Sequence, residues 1–486
     1  MNLIDRPYRE CGNYLCTWAL QGMLARKLDV RGDNMPMKQR NVLDENHLFG
    51  TDFYHIIQRE QRAGLYFLLD DGWDVPYDVD AKKGTEMFGS LCPCPEKFPS
   101  FGGTPVEILK NLNEKVKEMG YCGLGLWVSP QIAFEEKEQR STPEQIRAYW
   151  LEKARISEEA GIRYWKVDWG KYSDTENRRI MTECAREAAP SLRLEHATPQ
   201  NPFESASGED DPRTKSMRER VVYSDFFRTY DLARPFDNSE TLARIHWMLS
   251  GLDTDKFTLG AKGIINVEDQ PMVAAGLSCS VGIMLGAVED IALLNWQRLA
   301  PPMPTAGSTY VFSEEWVEDK MFIEHNPASW IDKYNGTEVS VRLPAVMARN
   351  TRLPKVACGE LAPIVLASCN SETKAFCVSA LRRAVDPNPR LAVPADITAY
   401  PDDMNAPVGV FGVMNSLTLE FAENIPAEAK IYAQCLLDDE AFDVTGEVSV
   451  RENTLYIDGK KIRLWGHGKQ YSTTDHEPVL VIKIIK

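Results

Sequence analysis

Strand-like and helix-like segments alternate over the first 300 residues, and this alternation restricts the fold more than any other feature of the sequence. Each short apolar run is followed by a longer stretch with helical periodicity, which is typical of repeated β/α units. The predicted strands cover residues 14–18, 65–73, 123–129, 162–168, 191–196, 220–225, 261–267 and 281–285. Eight such units predict a (β/α)8 TIM barrel over residues 1–300, because this fold takes about 250 residues.

In the C-terminal region, residues 301–486, short alternating apolar runs replace the helical periodicity of the first 300 residues. Runs such as 338–343, 363–367, 375–381 and 479–485 are separated by Pro, Asn, Asp and Gly, which favour turns. We therefore predict one or two antiparallel β-sandwich modules in this region, following the barrel.

The chain carries a formal net charge of −16 and has an isoelectric point near 5.1. This charge repels nucleic acid and anionic membrane surfaces, so we expect neither as a partner and favour a neutral substrate. No run of 18 apolar residues is present, and residues 1–6 lack the basic and then apolar order of a signal peptide. We expect a cytoplasmic location for the chain as given, or a secreted or periplasmic one if a leader was removed.

The stretch 162–170 contains a lysine and an aspartate, Lys166 and Asp168, which period-two alternation places on one face of a strand. A cation beside Asp168 would hold the pKa of its carboxyl down, and the group would then stay ionised and able to act as a nucleophile. A solvated ion pair at a strand end fits the same two residues equally well. Other residues must decide between these interpretations.

Further carboxylates fall where predicted strands end, the face on which TIM-barrel enzymes carry their active sites. Besides Asp168 they are Asp70, Asp71, Glu195 and Asp231. The sequence contains no H-x-H or H-E-x-x-H motif, no G-x-G-x-x-G after a strand and no G-x-S-x-G. We therefore expect neither a metal nor an organic cofactor, and favour a pair of carboxylates roughly 5 Å apart that serves a retaining glycosidase.

Four motifs follow the predicted strands in order: LLDDGW at 68–73, WKVD at 165–168, Glu195 after the fifth strand, and RTYD at 228–231. Together they resemble the strand-end motifs of glycoside hydrolase families 27 and 36, the retaining α-galactosidases and α-N-acetylgalactosaminidases. The segment 264–290, which runs from IIN to GAVED, resembles the last two barrel units of the same families. The resemblance covers nearly the whole barrel and implies a glycosidase that needs no cofactor.

The resemblance implies a double displacement that retains the configuration of the sugar. Asp168 would be the nucleophile, Asp231 the acid/base and Arg228 a neighbour of the acid/base. The acid/base aspartate of these families usually lies four residues after its arginine, whereas Asp231 lies three residues after Arg228. Asp225 is the alternative acid/base, because Ser224-Asp225 resembles the family 36 form. We favour Asp231.

The same resemblance assigns four substrate-binding residues. Asp70 and Asp71 would accept hydrogen bonds from the 4- and 6-hydroxyls of the sugar, which favours an axial 4-hydroxyl. Lys166 would bind sugar hydroxyls, and Glu195 would lie near the 2-position.

Two tryptophans complete the predicted pocket. The resemblance implies that Trp18 forms a wall of the sugar site. Trp127 ends the third predicted strand, where an aromatic ring either packs in the core or stacks on a sugar face.

The predicted substrate is an oligosaccharide or glycoconjugate, but the exact activity stays open. α-Galactosidase, α-N-acetylgalactosaminidase and β-L-arabinopyranosidase share the stereochemical demand at the 4-position. A carbohydrate-binding protein without catalysis is an alternative from another class. A lyase or isomerase acting on a sugar acid is a further one, and it would need a metal site or a cationic clamp. The sequence does not show whether the chain forms homo-oligomers.

Overall fold

The computed structural model of the protein describes residues 1–50, 57–80, 87–136, 139–200, 203, 208–229, 236–325, 332–472 and 474–485. Helices and strands are numbered below in chain order within these ranges. In this part of the chain, no helix combines the length and the apolar character needed to cross a bilayer.

Eight parallel strands close into a barrel in sequential order, and the pairing of β8 with β1 completes it. The strands are β1 (Asn13–Cys16), β2 (Leu65–Leu69), β3 (Gly123–Val128), β4 (Tyr164–Val167), β5 (Arg193–Ala197), β6 (Phe226–Arg228), β7 (Ile264–Glu268) and β8 (Ser280–Ile283). Nearly all of their residues are buried, because the inner side chains fill the barrel and the outer ones face helices. The predicted TIM barrel is confirmed.

The helices begin where local sequence signals place them. They are α1 (Trp18–Lys27), α2 (Met35–Asn41), α3 (Glu45–Phe49), α4 (Arg59–Arg62), α5 (Pro105–Glu118), α6 (Pro143–Glu159), α7 (Thr175–Ala188), α8 (Pro212–Val221), α9 (Asp237–Leu249), α10 (Pro271–Leu277), α11 (Val288–Gln297) and α12 (Gly459–Trp465). Helices α5 and α6 each start with a capping box, Thr104 with Glu107 and Thr142 with Gln145, followed by a proline at the first helical position.

The sixth strand lies later in the chain than predicted. Residues 220–221 form the end of α8, and the strand begins only at Phe226. The prediction of a strand over 220–225 was wrong because the apolar run it rested on includes the buried side of a helix end, where Val221 is fully buried. The first strand also ends earlier than predicted, since Trp18 is the first residue of α1.

Beyond the barrel, the described residues form three β-sheets. Their strands are β9 (Tyr310–Phe312), β10 (Trp316–Ile323), β11 (Thr337–Pro344), β12 (Val346–Arg349), β13 (Lys355–Ala357), β14 (Ile364–Cys369), β15 (Phe376–Leu381), β16 (Arg383–Val385), β17 (Asn388–Leu391), β18 (Asp396–Ala399), β19 (Val408–Phe411), β20 (Ser416–Glu420), β21 (Lys430–Cys435), β22 (Phe442–Asp443), β23 (Ser449–Arg451), β24 (Thr454–Asp458) and β25 (Val479–Ile485).

The orders of these sheets are β11-β10-β16-β17, β22-β21-β25-β19-β15-β14-β12-β9 and β13-β18-β20-β24-β23. Most neighbouring strands are antiparallel, but four pairs are parallel: β12 with β14, β15 with β19, β10 with β16, and β18 with β20. The sandwich-like modules predicted from the sequence are therefore confirmed, with sheets that are mixed in direction. The exact division at residue 300 stays a prediction.

The barrel and the eight-stranded sheet share one continuous hydrophobic core. Helix α10 of the barrel packs on β14 and β15 of the sheet. Arg349 of β12 is fully buried at this junction and donates hydrogen bonds to the carbonyl oxygens of Leu277 and Met303, both at 2.8 Å. The sheet therefore supports the barrel on the side of α10.

The close approach of α10 to the sheet depends on Gly276. A Cβ atom at this position would lie 2.7 Å from Cβ of Leu366 and 2.9 Å from Cβ of Ser379. Alanine gains about 1 kcal/mol over glycine within a helix. Overpacking costs about 1–3 kcal/mol, and Cβ atoms cannot rotate away, so the clash outweighs the gain. We expect Gly276→Ala to lower the free energy of unfolding by about 1 kcal/mol in chemical denaturation.

Gly446→Ala is the matched control for this substitution, because no atom lies within 4 Å of the added Cβ atom. Its expected effect is within about 0.5 kcal/mol. Equal stability of Gly276→Ala and the wild type would show that the helix and the sheet are not in close contact at this position.

Candidate active site

Charged side chains converge at the C-terminal end of the barrel. This charged cluster consists of Asp70, Lys166, Asp168, Glu195, Arg228 and Glu268, which lie on β4, β5, β6 and β7 or directly after β2 and β4. They meet because the carboxyl ends of parallel barrel strands share one face. Five of the six are buried, whereas 12% of the Asp168 side chain is exposed.

Lys166 forms ion pairs with two carboxylates inside the barrel. Its Nζ atom lies 2.8 Å from Oδ2 of Asp70 and 3.1 Å from Oε1 of Glu268. Burial alone would lower the pKa of Lys166, but these carboxylates and the nearby Cys16 thiol outweigh burial and hold the pKa well above its usual value. The ion pairs with Asp70 and Glu268 therefore favour the charged form of Lys166.

The cation that pairs with Asp168 lies on β6, whereas the sequence analysis placed Lys166 from the strand before Asp168 beside it. Nη2 of Arg228 lies 3.2 Å from Oδ1 of Asp168, so the ion pair links β6 to the end of β4. The close ion pairs of Lys166 go to Asp70 and Glu268, and the effect of Lys166 on the pKa of Asp168 stays a prediction.

Trp127 positions the other oxygen of Asp168. Its indole Nε1 donates a hydrogen bond of 2.8 Å to Oδ2 of Asp168. Only 1% of Trp127 is exposed, and its ring packs edge-on against Phe88 and Trp169. Of the two interpretations of Trp127, the structure supports core packing, and the ring face is not available for stacking on a sugar.

Arg228 connects three carboxylates of the charged cluster. Besides Asp168, its Nε atom lies 3.2 Å from Oε1 of Glu195 and its Nη1 atom lies 3.4 Å from Oε1 of Glu268. The side chain is fully buried. Burial alone would lower its pKa, but the three carboxylates hold the pKa well above its usual value. Arg228 is the central positive charge of the site.

Glu195 lies inside the barrel, in register with Lys166. It is fully buried and accepts hydrogen bonds from the hydroxyls of Tyr164, at 2.6 Å, and Tyr14, at 3.3 Å. Burial raises the pKa of Glu195 to about 7, although Arg228, Tyr164 and Lys166 act in the opposite direction. The resemblance implied that Glu195 lies near the 2-position of the sugar. This role stays a prediction, and Glu195 has no exposed surface.

The raised pKa of Glu195 predicts that this residue makes the stability of the protein depend on pH. The pKa of Glu195 is about 7 in the folded protein, compared with 4.5 for an ordinary glutamate. The folded state therefore binds the proton more tightly than the unfolded state does. The contribution of Glu195 to the free energy of unfolding is therefore largest below about pH 4.5 and falls by about 3 kcal/mol as the pH rises to 7. We expect Glu195→Gln to remove this contribution, and its melting temperature should fall less between pH 5 and pH 8 than that of the wild type.

Glu152→Gln on the exposed side of α6 is the control for this measurement, because 66% of the Glu152 side chain is exposed. It should reproduce the wild-type dependence on pH. Parallel wild-type and Glu195→Gln curves would show that Glu195 does not titrate in this range.

Asp70 and Asp71 adopt different roles although they are adjacent. Asp71 forms a bidentate ion pair with Arg40, at 2.9 and 2.7 Å, and both side chains are buried. Asp70 contacts Lys166, and its Oδ2 atom accepts a hydrogen bond of 3.0 Å from the thiol of Cys16. Asp70 thus belongs to the charged cluster, whereas Asp71 ties the loop after β2 to α2.

The remaining predicted site residues have separate outcomes. Trp18 is partly buried at the start of α1 and packs on the inner apolar residues of the barrel. Asp225 precedes β6, accepts a hydrogen bond of 2.9 Å from the backbone N–H of Leu194, and pairs with Arg186 at 2.8 Å. Asp225 therefore lies at the opposite end of β6 from the charged cluster, about 10 Å along the strand. Asp231 lies outside the described residues.

Two residues of the site were missed by the sequence analysis. Glu268 ends β7, and Tyr14 of β1 donates hydrogen bonds to Glu268, at 3.2 Å, and to Glu195. The signal for Glu268 was present, because it is a carboxylate at the end of a predicted strand, like Asp168. In the described part of the chain, no group of three or more His, Cys, Asp or Glu residues is arranged to hold a metal ion.

No protein-family model and no curated protein matches the chain. A family 27 β-L-arabinopyranosidase from Geobacillus stearothermophilus is similar in structure, with 10% identity and a TM-score of 0.39 over 99% of this chain and 97% of that chain.

Two other solved structures are similar at the same level. A Bacillus halodurans protein provisionally assigned as an α-N-acetylgalactosaminidase has 10% identity and a TM-score of 0.37 over 99% of this chain and 97% of that chain. A family 30 xylanase catalytic domain from Talaromyces cellulolyticus has 9% identity and a TM-score of 0.35 over 99% and 98% of the two chains. Values this low identify neither a family nor a reaction.

Proposed function

We propose that this protein is a retaining glycoside hydrolase that removes terminal α-linked galactose-type sugars. The observation that carries the proposal is the setting of Asp168 at the C-terminal end of the barrel. It is the most exposed member of the charged cluster, and Trp127 and Arg228 each hold one of its oxygens. An oriented, accessible carboxylate paired with a cation is suited to attack an anomeric carbon.

In the proposed double displacement, Asp168 attacks the anomeric carbon and forms a covalent glycosyl-enzyme while Asp231 protonates the leaving oxygen. Asp231 then accepts a proton from water, which displaces Asp168 and releases the sugar with retained configuration. The role of Asp231 rests on the resemblance of the motif at 228–231. It also agrees with the position of Asp225, which lies at the other end of β6.

The substrate class is proposed from the chemistry of Asp70 and Lys166. A carboxylate 2.8 Å from an ammonium offers an acceptor and a donor side by side, and a sugar hydroxyl can use both. A preference for an axial 4-hydroxyl rests on the resemblance alone. α-N-Acetylgalactosaminidase and β-L-arabinopyranosidase activities are therefore the alternatives within the same proposal.

Hydrolysis of nitrophenyl glycosides tests the proposal. The panel consists of the α-galactoside, the α-N-acetylgalactosaminide, the β-L-arabinopyranoside and the α-glucoside. We expect cleavage of one of the first three, and proton NMR of the first-formed sugar should show the anomeric configuration of the substrate. Asp231→Asn should lose this activity. Asp225→Asn, which lies outside the charged cluster, is the matched control and should keep it.

A wild-type protein that cleaves none of these glycosides would contradict the proposal. A rise in melting temperature with galactose would then favour a carbohydrate-binding protein without catalysis. Metal retained after dialysis, together with turnover of a sugar acid, would favour the lyase or isomerase alternative.

A further inference from the structure

The charged cluster contains two cations that approach the same oxygen atom. Nζ of Lys166 lies 3.1 Å and Nη1 of Arg228 lies 3.4 Å from Oε1 of Glu268. The two nitrogen atoms are therefore at most about 6.5 Å apart, the sum of these distances. Both cations are buried, and like charges this close repel each other strongly where the dielectric constant is low.

Glu268 is placed to offset this repulsion. It is 6% exposed, and its Oε1 atom also accepts a hydrogen bond of 3.2 Å from the hydroxyl of Tyr14. One carboxylate oxygen thus receives donors from β1, β4 and β6, the three strands that carry Tyr14, Lys166 and Arg228. Glu268 joins these strands at the end of β7.

The two cations hold different parts of the proposed reaction centre. Lys166 contacts Asp70, on the side where we propose that sugar hydroxyls bind. Arg228 contacts Asp168, the proposed nucleophile. Any shift of the two cations relative to each other changes the relative position of the sugar-binding carboxylate and the nucleophile.

We propose that Glu268 is a positioning residue that holds Lys166 and Arg228 side by side and so sets the geometry between Asp70 and Asp168. The proposal rests on the proposed glycosidase function, since it concerns the alignment of a bound sugar with Asp168. Glu268 acts through the two cations and does not itself need to touch the reacting atoms.

Removal of the charge alone tests this role. Glu268→Gln keeps the size of the side chain and one acceptor oxygen but leaves the two cations without their shared counter-charge. We expect kcat/KM on the cleaved nitrophenyl glycoside to fall about 100-fold, the size expected for a misplacement of about 1 Å. Glu268→Asp keeps the charge on a shorter side chain and should recover part of this loss.

The pH profile supplies a readout that a purely structural role would not change. Glu195 faces Glu268, Arg228, Lys166, Tyr14 and Tyr164, and the charge of Glu268 is one of the influences that raise its pKa. Glu195 lies 3.2 Å from Arg228, which pairs with the proposed nucleophile, so we expect its ionisation to appear as an inflection in kcat/KM that Glu195→Gln removes. In Glu268→Gln this inflection should move to lower pH.

Asp319→Asn is the matched control. Asp319 is a buried carboxylate of β10 that pairs with buried Arg383 and accepts a hydrogen bond of 3.1 Å from the backbone N–H of Ala384. Its replacement removes one charge from a buried arginine pair outside the barrel. We expect it to lower the melting temperature while leaving kcat/KM and the pH profile at the assay temperature unchanged.

The outcomes separate this proposal from the glycosidase proposal. An active wild type, an inactive Asp168→Ala and a Glu268→Gln variant within twofold of wild type, with an unchanged pH profile, would overturn the role of Glu268 alone. A wild type that cleaves no glycoside would overturn both proposals. A 100-fold loss with the shifted profile, partly recovered by Glu268→Asp and absent from Asp319→Asn, would support the role of Glu268.

Discussion

Replacement of Asp168 by alanine should lower glycoside turnover by about 10⁴-fold or more, because no covalent glycosyl-enzyme can form without its carboxylate. The variant should still fold. Arg228 keeps its ion pairs with Glu195 and Glu268, and Asp168 is the most exposed member of the charged cluster, so its loss leaves no unpaired buried charge. Nitrophenol release and the melting temperature measure these two effects.

Azide offers a second test of the same role. The space left by the Asp168 carboxylate can admit a small anion that attacks the anomeric carbon directly. A single displacement inverts the configuration, so Asp168→Ala with azide should form a glycosyl azide of inverted configuration at a measurable rate. Activity of Asp168→Ala within tenfold of wild type, without azide, would show that another group is the nucleophile.

Mass spectrometry can locate the nucleophile without a substitution. A fluorinated glycosyl donor slows hydrolysis of the covalent intermediate, and the labelled peptide should contain residues 164–170. Label on any other peptide would contradict the assignment of Asp168.

Replacement of Arg228 by methionine should be the most destabilising change in the site. The guanidinium lies within 3.4 Å of Asp168, Glu195 and Glu268, and none of its surface is exposed. Removing it leaves three carboxylates without their shared cation. Breaking a buried pair in this way costs about 3–5 kcal/mol. We expect a loss of this size in the free energy of unfolding, together with a loss of turnover.

Two further variants separate charge from geometry in this measurement. Arg228→Lys keeps a positive charge, but a single ammonium group cannot contact three carboxylates as the planar guanidinium does. It should therefore recover part of the stability and less of the activity. Arg179→Met removes an arginine from a pair with Glu176 in which both side chains are exposed, 43% and 64%, and it should cost at most about 1 kcal/mol. A loss below about 1 kcal/mol for Arg228→Met would contradict the role of Arg228 as the central charge of the site.

The sequence alone was sufficient to predict the barrel and much of its charged cluster. Each strand of the barrel is a short apolar run followed by a helical stretch, and both signals are local. Period-two alternation put Lys166 and Asp168 on one face, and the strand-end rule brought Asp70 and Glu195 to the same end of the barrel. These predictions needed only the position of each residue along its own strand.

Local patterns misled where packing decided the secondary structure. The apolar residues around Val221 have the character of a strand, but they end α8, which buries them against the barrel. Strand β6 therefore starts at Phe226, later than predicted, and Asp225 lies at the opposite end of the strand from the charged cluster. Burial of a helix end is a tertiary effect that no short window of sequence contains.

Only the tertiary structure decided which charges pair with each other. The stagger of neighbouring strands and the closure of the barrel set the distance between side chains of different strands. They direct Lys166 to Asp70 and Glu268, and they bring Arg228 to Asp168. The sequence thus determined which chemical groups reach the C-terminal end of the barrel, while barrel closure determined their partners, because a pairing depends on two strands and a sequence pattern describes one.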